Sequence, residues 1–153
     1  MSNSQFDLQS YVPFHLSQIA TKWSSASSRI YLERFGIGIN DWRVMSVLAN
    51  EPNAAANRVC AITGFDKALI GRSIRVLEKK KLITIKSDPT DRRSQLLRLT
   101  ANGMKIYDQI YVIAREREKL LLGGLNKKEI EMLLSLLRRL SANAANIQVL
   151  KKD

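Results

Sequence analysis

The sequence contains only one cysteine, Cys60, and one histidine, His15, in 153 residues. A disulfide within the chain is therefore excluded, and a metal site of cysteine and histidine ligands is not expected. Ser-His-Asp or Cys-His catalysis would have to use His15, which lies in an apolar helical segment without a glycine-rich turn beside it. We therefore expect neither an enzyme nor a metal or cofactor site.

Long apolar runs are also missing from the sequence. No stretch approaches the roughly 20 residues that cross a bilayer, and the N-terminus lacks the basic and apolar regions of a secretory signal. The scarcity of cysteine is typical of a reducing compartment. We therefore expect a cytoplasmic protein without a membrane partner.

Acidic residues are scarce relative to basic ones. The chain has 25 Lys and Arg against 14 Asp and Glu, which gives a formal net charge of +11. Such an excess favours a polyanionic partner (DNA, RNA or an anionic membrane surface), although a solvated basic surface without a partner would carry the same charge. Because the charge is concentrated in one recognisable binding element, we favour nucleic acid.

The spacing of apolar residues predicts a mainly helical chain with short strands. Gly36 and Gly38 are expected to end the first helix, and Asn40 or Asp41 to cap the second. Asp66 is expected to cap the basic helix, and Asn126 with Glu129 is expected to start the last helix in the manner of a capping box. Helices are predicted at about 10–35, 42–50, 57–62, 66–80, 101–122 and 126–148. Strands are predicted at about 54–55, 82–86 and 95–100.

The segment 66–103 has the order of a winged helix-turn-helix: a basic helix, a strand, a charged loop and a second strand. Four apolar residues at helical spacing predict its inner face: Leu69, Ile70, Ile74 and Leu77. On the outer face, Arg72 is the expected base contact, because arginine pairs bidentately with guanine. Lys67, Ser73 and Arg75 are expected phosphate contacts. Gly71 indicates either close approach to DNA or crowding between helices.

The loop between the two strands has an acid followed by two arginines. Arg92 and Arg93 at a hairpin tip are suited to the electronegative minor groove, although a polar turn without any contact is the alternative. Asp91 would repel phosphate unless it orients Arg93 or pairs with the neighbouring backbone. The run Lys79–Lys81 is either a further cationic contact or a solvated helix end.

The helices at the two ends carry more apolar surface than so small a core can cover. Either this surface packs within one chain or it forms a homodimer, and we favour a two-fold dimer because it matches a palindromic DNA site. The residues concerned are Ile110, Ile113, Leu120, Leu121, Leu122, Leu133, Leu134, Leu136, Leu137 and Leu140.

The sequence Asp91-x-Arg93-Ser94, followed by Leu97-x-Leu99-Thr100-x-x-Gly103, resembles the wing signature of the MarR family of bacterial transcription regulators. The segments 41–48 and 66–82 are similar to the same family. The resemblance implies an α+β winged helix-turn-helix, mainly α with a small β-hairpin wing, in one domain of residues 1–153. It implies dimerisation helices at 10–35 and 101–148 around a DNA-binding lobe at 41–100. One departure is the alanine entry at 54–56, where a Ser or Thr cap is usual.

By this resemblance the protein is a homodimeric regulator of a palindromic operator, usually a repressor released by an anionic aromatic ligand or an oxidant. The family's contacts map onto Asp66, Lys67, Arg72, Arg92 and Arg93. Together with the arguments above, the expected DNA-contacting residues are Asp66, Lys67, Ala68, Gly71, Arg72, Ser73, Arg75, Lys86, Asp91, Arg92 and Arg93.

The effector is less clearly indicated. The family's peroxide-sensing branch has a reactive cysteine on the N-terminal helix, whereas Cys60 lies in a later short helix, where we expect it to be buried and inert. The run 11–17 is similar to the branch that governs hydroxycinnamate catabolism, in which some members respond to coenzyme A thioesters. We therefore expect a small aromatic acid or its thioester, although a constitutive nucleic-acid-binding winged helix or a protein-interaction module remain alternatives. The expected pocket residues are Phe14, His15, Trp23, Ser27, Tyr31, Trp42, Arg43, Tyr107 and Tyr111.

Overall fold

The computed structural model describes residues 7–91 and 93–147. Helices and a small sheet follow the predicted order, so the expected mainly helical winged fold is confirmed. No helix in the described part of the chain combines the length and apolarity needed to span a membrane. The chain divides into two compact units, Met1–Ile113 and Ala114–Asp153. The elements are α1 (Val12–Phe35), α2 (Ile39–Asn50), β1 (Ala54–Ala55), α3 (Ala56–Thr63), α4 (Lys67–Lys79), β2 (Ile83–Ser87), β3 (Gln95–Leu99), α5 (Ala101–Leu121) and α6 (Lys127–Ile147).

The turn between α1 and α2 corrects one predicted boundary. Gly36 ends α1 as expected, with a left-handed φ of 65° and its N–H donated to the Leu32 carbonyl oxygen. The second helix begins at Ile39, and its N-cap is Gly38 rather than Asn40 or Asp41. Asp41 lies in the first turn and accepts the Gly38 N–H at 2.8 Å, which favours the earlier start.

The wing is a three-stranded antiparallel sheet with the order β1-β3-β2. Ile83 pairs with Leu99 and Ile85 with Leu97, so the apolar residues of the two long strands share one face. Leu97 and Leu99 are buried in the core that also includes Ile70 of α4. The pairing therefore fixes the hairpin beside the basic helix.

A close contact joins the hairpin to α5 and accounts for the spacing of the Leu-x-Leu-Thr-x-x-Gly motif. The Thr100 hydroxyl accepts the Gly103 N–H at 2.9 Å and donates to the Lys81 carbonyl oxygen at 2.9 Å. A Cβ on Gly103 would lie 2.0 Å from the Leu82 carbonyl oxygen. Only glycine therefore allows this helix start to pack directly against the backbone before β2.

The second unit contains the end of α5, a turn and α6. The predicted capping box is confirmed, because Asn126 N–H donates to Glu129 at 2.7 Å and Glu129 N–H donates to Asn126 at 3.1 Å. Every residue from 131 to 147 is exposed, including five of the expected interface leucines. Residue 148, the predicted helix end, lies outside the described residues. Ile110 was expected to be part of the apolar surface available to a partner. This expectation is wrong, because Ile110 is fully buried in the core of the first unit.

Candidate nucleic-acid interface

The N-terminus of α4 is fixed by the predicted cap. Asp66 accepts the Leu69 N–H at 2.7 Å, which satisfies one of the free donors at the helix start. The side chains of Ile70 and Leu77 are buried on the inner face of α4, and the side chains on the opposite face are exposed to solvent. The exposed residues of that outer face are Lys67, Ala68, Arg72 and Arg75.

Ser73 does not belong to this outer face. Its side chain is 2% exposed and lies between the buried residues Ile70 and Leu77 in the helical repeat. The expected phosphate contact by Ser73 is therefore wrong, because the buried stripe of α4 is wider than its apolar residues alone indicated.

Gly71 faces open space. A Cβ built on it meets no atom of the described residues within 4 Å, and its φ is not in the left-handed region. Crowding between helices within the described chain therefore does not account for this glycine. Its position on α4 leaves room for an approaching partner.

The hairpin turn is held by its acidic side chains. Asp91 accepts the backbone N–H of Arg93 at 3.0 Å, and its carbonyl oxygen accepts the Ser94 N–H at 2.8 Å. This geometry confirms backbone pairing for Asp91. Hydrogen bonds from the Thr90 hydroxyl and then from its N–H lower the pKa of Asp88, which keeps that carboxylate charged.

The cationic wing residues differ in what the structure shows. Arg93 and Lys86 are exposed, with Lys86 on the outer side of β2. Arg92 lies outside the described residues. At the end of α4, Lys80 approaches α1, because a Cβ on Gly36 would lie 2.8 Å from the Lys80 Nζ. The side chain of Lys80 is otherwise exposed.

An open groove of about 610 Å³ lies between α4, α3 and the hairpin. We call it the α4–wing groove. Asn57 and Gln95 line it, and nothing in the sequence marked either as a candidate, since each is simply a polar residue at an element start. Cys60 also lines it; this residue is half-buried and packs against the core, so the expected buried side is confirmed in part. The α4 wall is formed by Lys67, Ile70, Gly71, Ile74, Arg75 and Glu78.

Four aromatic side chains from the expected effector set form a continuous row in the first unit. Tyr31 of α1 lies 5.8 Å from Trp42 of α2, measured between ring centroids. Trp42 stacks on Tyr107 at 6.2 Å, and Tyr107 stacks on Tyr111 at 6.0 Å. Burial, and then the nearby Tyr111 and Asp108, raise the pKa of Tyr107, so its phenol stays protonated. We call this row the aromatic cluster.

Two polar atoms beside this cluster have no hydrogen-bond partner among the described residues. They are the hydroxyl of Ser27, which is fully buried one turn before Tyr31, and the buried indole Nε1 of Trp42. Buried donors without partners are uncommon and need an explanation.

Arg43 lies next to Trp42 in the chain but is already engaged. Its guanidinium donates to the Ser24 hydroxyl at 3.2 Å and to the side-chain Oδ1 of Asn40 at 3.3 Å, and it lies 5.7 Å from the Phe65 ring centroid. Burial lowers the pKa of Arg43, with a smaller opposing contribution from Tyr31. The guanidinium nonetheless stays charged.

Phe14 and His15 lie apart from the aromatic cluster. Their rings contact each other at 5.6 Å, and His15 Nε2 is 2.8 Å from the Gln9 carbonyl oxygen. Twelve residues separate His15 from Ser27, which is about 18 Å along a helix. The structure therefore does not bring these two residues together with the others in one chain. Trp23 lies on the same face of α1 as Ser27 and packs against the core.

Comparison with known proteins agrees with this geometry. The MarR family profile matches residues 35–94. The solved structure of a MarR/EmrR family transcriptional regulator from Acinetobacter sp. ADP1 is 30% identical, with 92% of this chain and 99% of that chain covered and a TM-score of 0.85. A DNA complex of MepR from S. aureus is 20% identical, with 88% of this chain and 96% of that chain covered and a TM-score of 0.76, which shows likeness of fold alone.

Among curated proteins, the HTH-type transcriptional repressor NicR of Pseudomonas putida is 33% identical over 89 residues. That match spans 58% of this chain and 56% of the repressor, and other curated matches span 66% and 50% of theirs. The chain thus aligns with half to two thirds of each of these relatives. The near-complete match to the Acinetobacter regulator, together with the wing and α4 geometry, establishes that this chain belongs to the MarR family of transcription regulators and is not an enzyme.

Proposed function

We propose that this chain is a cytoplasmic, homodimeric, sequence-specific repressor that leaves its operator when a small aromatic acid or its coenzyme A thioester binds. The observation that carries the DNA-binding part is the exposed face of α4 beside an arginine-bearing hairpin. Lys67, Arg72 and Arg75 point away from the core on one helix, and Arg93 is exposed at the wing. A helix with this face suits the major groove, and the wing suits the adjacent minor groove.

The proposed dimer rests on the unpaired apolar face of α6. Its leucines are exposed in the single chain, and a soluble protein rarely leaves so much contiguous apolar surface uncovered. A second copy would cover it symmetrically and hold two α4 helices at a fixed separation. The segments 10–35 and 101–148 are the proposed dimerisation helices, and 41–100 is the proposed DNA-binding lobe.

The aromatic cluster supports the effector part of the proposal. A ring-shaped ligand suits stacked aromatic side chains, and the unpaired donors of Ser27 and Trp42 would supply its polar contacts. Arg43, one residue from Trp42, provides a half-buried cation for a carboxylate. Because the cluster joins α1, α2 and α5, a ligand there would favour one arrangement of these helices and change the separation of the two α4 helices.

The DNA-binding part is tested by selecting duplexes from a random pool and measuring their affinity against unselected duplex. We expect an inverted repeat with affinity at least about a thousandfold above random DNA at the same salt concentration. Binding without any preferred sequence would instead favour a constitutive winged helix that binds nucleic acid through its charge alone.

The effector part is tested by titrating the selected complex with benzoate, hydroxybenzoates and hydroxycinnamates and with their coenzyme A thioesters. We expect one class to lower the operator affinity, and Trp42→Phe to weaken that release while the affinity of the unliganded protein for DNA is kept. Ser27→Ala should weaken the release in the same way, and Ser25→Ala, on an exposed part of α1, is its matched control. If no compound changes the affinity, the effector proposal fails and the constitutive alternative is favoured.

A further inference from the structure

The turn between α3 and α4 leads directly into the basic helix but is not anchored by burial. No residue from 60 to 69 is buried, and the nearest buried residues on either side are Val59 and Ile70. The expected DNA contacts Lys67 and Arg72 follow this turn within two helical turns. The placement of the start of α4 therefore depends on contacts made by side chains that are only partly covered.

Phe65 forms a contact between this turn and α2. Its ring is half-buried against the core, and the guanidinium carbon of Arg43 lies 5.7 Å from the ring centroid, which is within the range of a cation–π interaction. The Phe65 N–H donates to the Thr63 hydroxyl at 3.2 Å, which restrains the same residue from the α3 side. Because the N-cap residue Asp66 comes next in the chain, a displacement of Phe65 displaces the start of α4.

The guanidinium of Arg43 is held from two further elements. Its Nη2 donates to the Ser24 hydroxyl of α1 at 3.2 Å, and its Nη1 donates to the side-chain Oδ1 of Asn40 in α2 at 3.3 Å. Bonds from two different nitrogens fix the plane of the group. No acid in the described part of the chain forms an ion pair with Arg43, so this half-buried charge is not offset by a counter-ion. What the guanidinium provides is a fixed plane between α1, α2 and Phe65.

We propose that Arg43 is a positioning residue for DNA binding, which holds the turn before α4 so that Arg72 reaches the base edges. This inference rests on the proposed DNA-binding function. Hydrogen bonds to bases weaken steeply when distance or angle changes, so specific binding needs α4 to be placed closely. Non-specific binding depends on charge near phosphates and tolerates a displaced helix. Loss of the Arg43–Phe65 contact therefore weakens operator binding and leaves random binding unchanged.

The experiment compares two charge-preserving variants with wild type, on random duplex and on a duplex selected with wild type. Arg43→Lys keeps the charge but cannot donate to both acceptors from one plane, and Phe65→Leu keeps an apolar side chain without a ring. We expect each variant to lower the affinity for the selected duplex about fivefold per lobe, with the affinity for random duplex unchanged. The double variant should lose no more than either single variant, because both changes break the same contact.

Two controls repeat the same chemical changes away from this contact. Arg29→Lys alters an exposed arginine of α1, and Phe35→Leu alters another half-buried phenylalanine that packs against the core. We expect neither control to change the ratio of the two affinities. Ser24→Ala removes one of the two acceptors of Arg43, and it should give a smaller loss on the selected duplex alone.

Amide hydrogen exchange tests the positioning without DNA. The Leu69 N–H donates to the Asp66 side chain at 2.7 Å, and the Ile70 N–H donates to the Asp66 carbonyl oxygen at 3.1 Å. A turn that is no longer held opens more often, so we expect both charge-preserving variants to speed the exchange of these two amides about fivefold. Exchange at Leu77, near the other end of α4, should not change.

Several outcomes overturn the inference. Equal losses on both duplexes would show a general destabilisation instead of positioning. Unchanged affinity for the selected duplex, unchanged exchange at the start of α4, additive losses in the double variant, or the same effects from the controls would each exclude the proposed role of Arg43. If wild type binds neither duplex, the proposed DNA-binding function fails, whereas hydrogen exchange still shows whether Arg43 holds the turn.

Discussion

Lys67 and Arg72 are both exposed on α4, but the chemistry of their side chains separates their roles. The planar guanidinium of Arg72 can donate two hydrogen bonds to guanine, whereas the ammonium of Lys67 acts as a point charge toward phosphate. The role of each cation on α4 thus depends on the geometry of its side chain as much as on its charge.

We expect Arg72→Ala to cost about 1–3 kcal/mol on the selected operator and to relax the base preference at one position. Lys67→Ala should lower affinity for all sequences alike and reduce the salt slope by about one. Competition binding with single-base operator variants checks both. Indistinguishable effects of the two variants would contradict this division of roles.

The two glycines at 71 and 103 give opposite expectations for the same substitution. Gly71→Ala should stabilise α4 by about 1 kcal/mol, since the added methyl meets open space. The same methyl should weaken operator binding by about 1–3 kcal/mol if DNA approaches this position closely. Thermal unfolding tests the expected gain in stability, and operator binding of the same preparation tests the expected loss of affinity. Unchanged binding would mean that DNA stays clear of Gly71.

Gly103→Ala should destabilise the first unit by about 3 kcal/mol, because its methyl would overlap the Leu82 carbonyl oxygen. Denaturant unfolding is the measurement, with Gly71→Ala as the control that adds the same methyl in open space. An unchanged midpoint for Gly103→Ala would show that α5 does not pack closely against this backbone.

For single residues, the sequence predicts a role only where the signal is local. Asp66 was predictable as a cap because its signal is local, and the geometry confirms it. The burial of Ser73 and the position of Cys60 at the groove could not be predicted, since both depend on how far neighbouring elements extend over a helix. Asn57 and Gln95 gave no signal, because the groove exists only once α3, α4 and the hairpin meet.

At the scale of elements, α6 is the helix whose purpose the single chain does not explain. Leu133 and Leu137 lie one turn apart, each 37% exposed, on a helix with no buried residue. A helix of this kind gains its stability from packing rather than from propensity. Its apolar face therefore indicates a partner surface.

We expect the double variant Leu133→Gln with Leu137→Gln to weaken self-association by at least about tenfold, which corresponds to 1.4 kcal/mol. Glutamine keeps helix propensity, so the helical content should not change. Sedimentation velocity over a concentration series checks this, with Arg138→Gln on the same helix as control. Unaltered association would exclude α6 from the interface.

Elements with strong local signals were predictable. The alternation in β2 and β3 gave the hairpin, and the Asn126 and Glu129 capping box gave the start of α6. The start of α2 was misplaced by three residues, because Ile39 continues an apolar pattern that the preceding glycine appeared to interrupt. Several neighbouring residues can each cap a helix, and the sequence alone does not show well which of them does.

At the scale of the whole molecule, the proposed recognition of an operator depends on two-fold symmetry. One lobe presents one α4 and one wing, and a few contacts of this size give modest specificity. Two lobes at a fixed separation would read two half-sites, so that their base contacts act together. The same arrangement gives an effector its influence, because a small change in separation affects both lobes at once.

The most direct test of this claim is the mass of the complex on a selected duplex, measured by light scattering together with the spacing of the two half-sites. We expect two chains per duplex and half-site centres about 10 base pairs, or a multiple of that, apart. One chain per duplex, with no preference for an inverted repeat, would contradict the account.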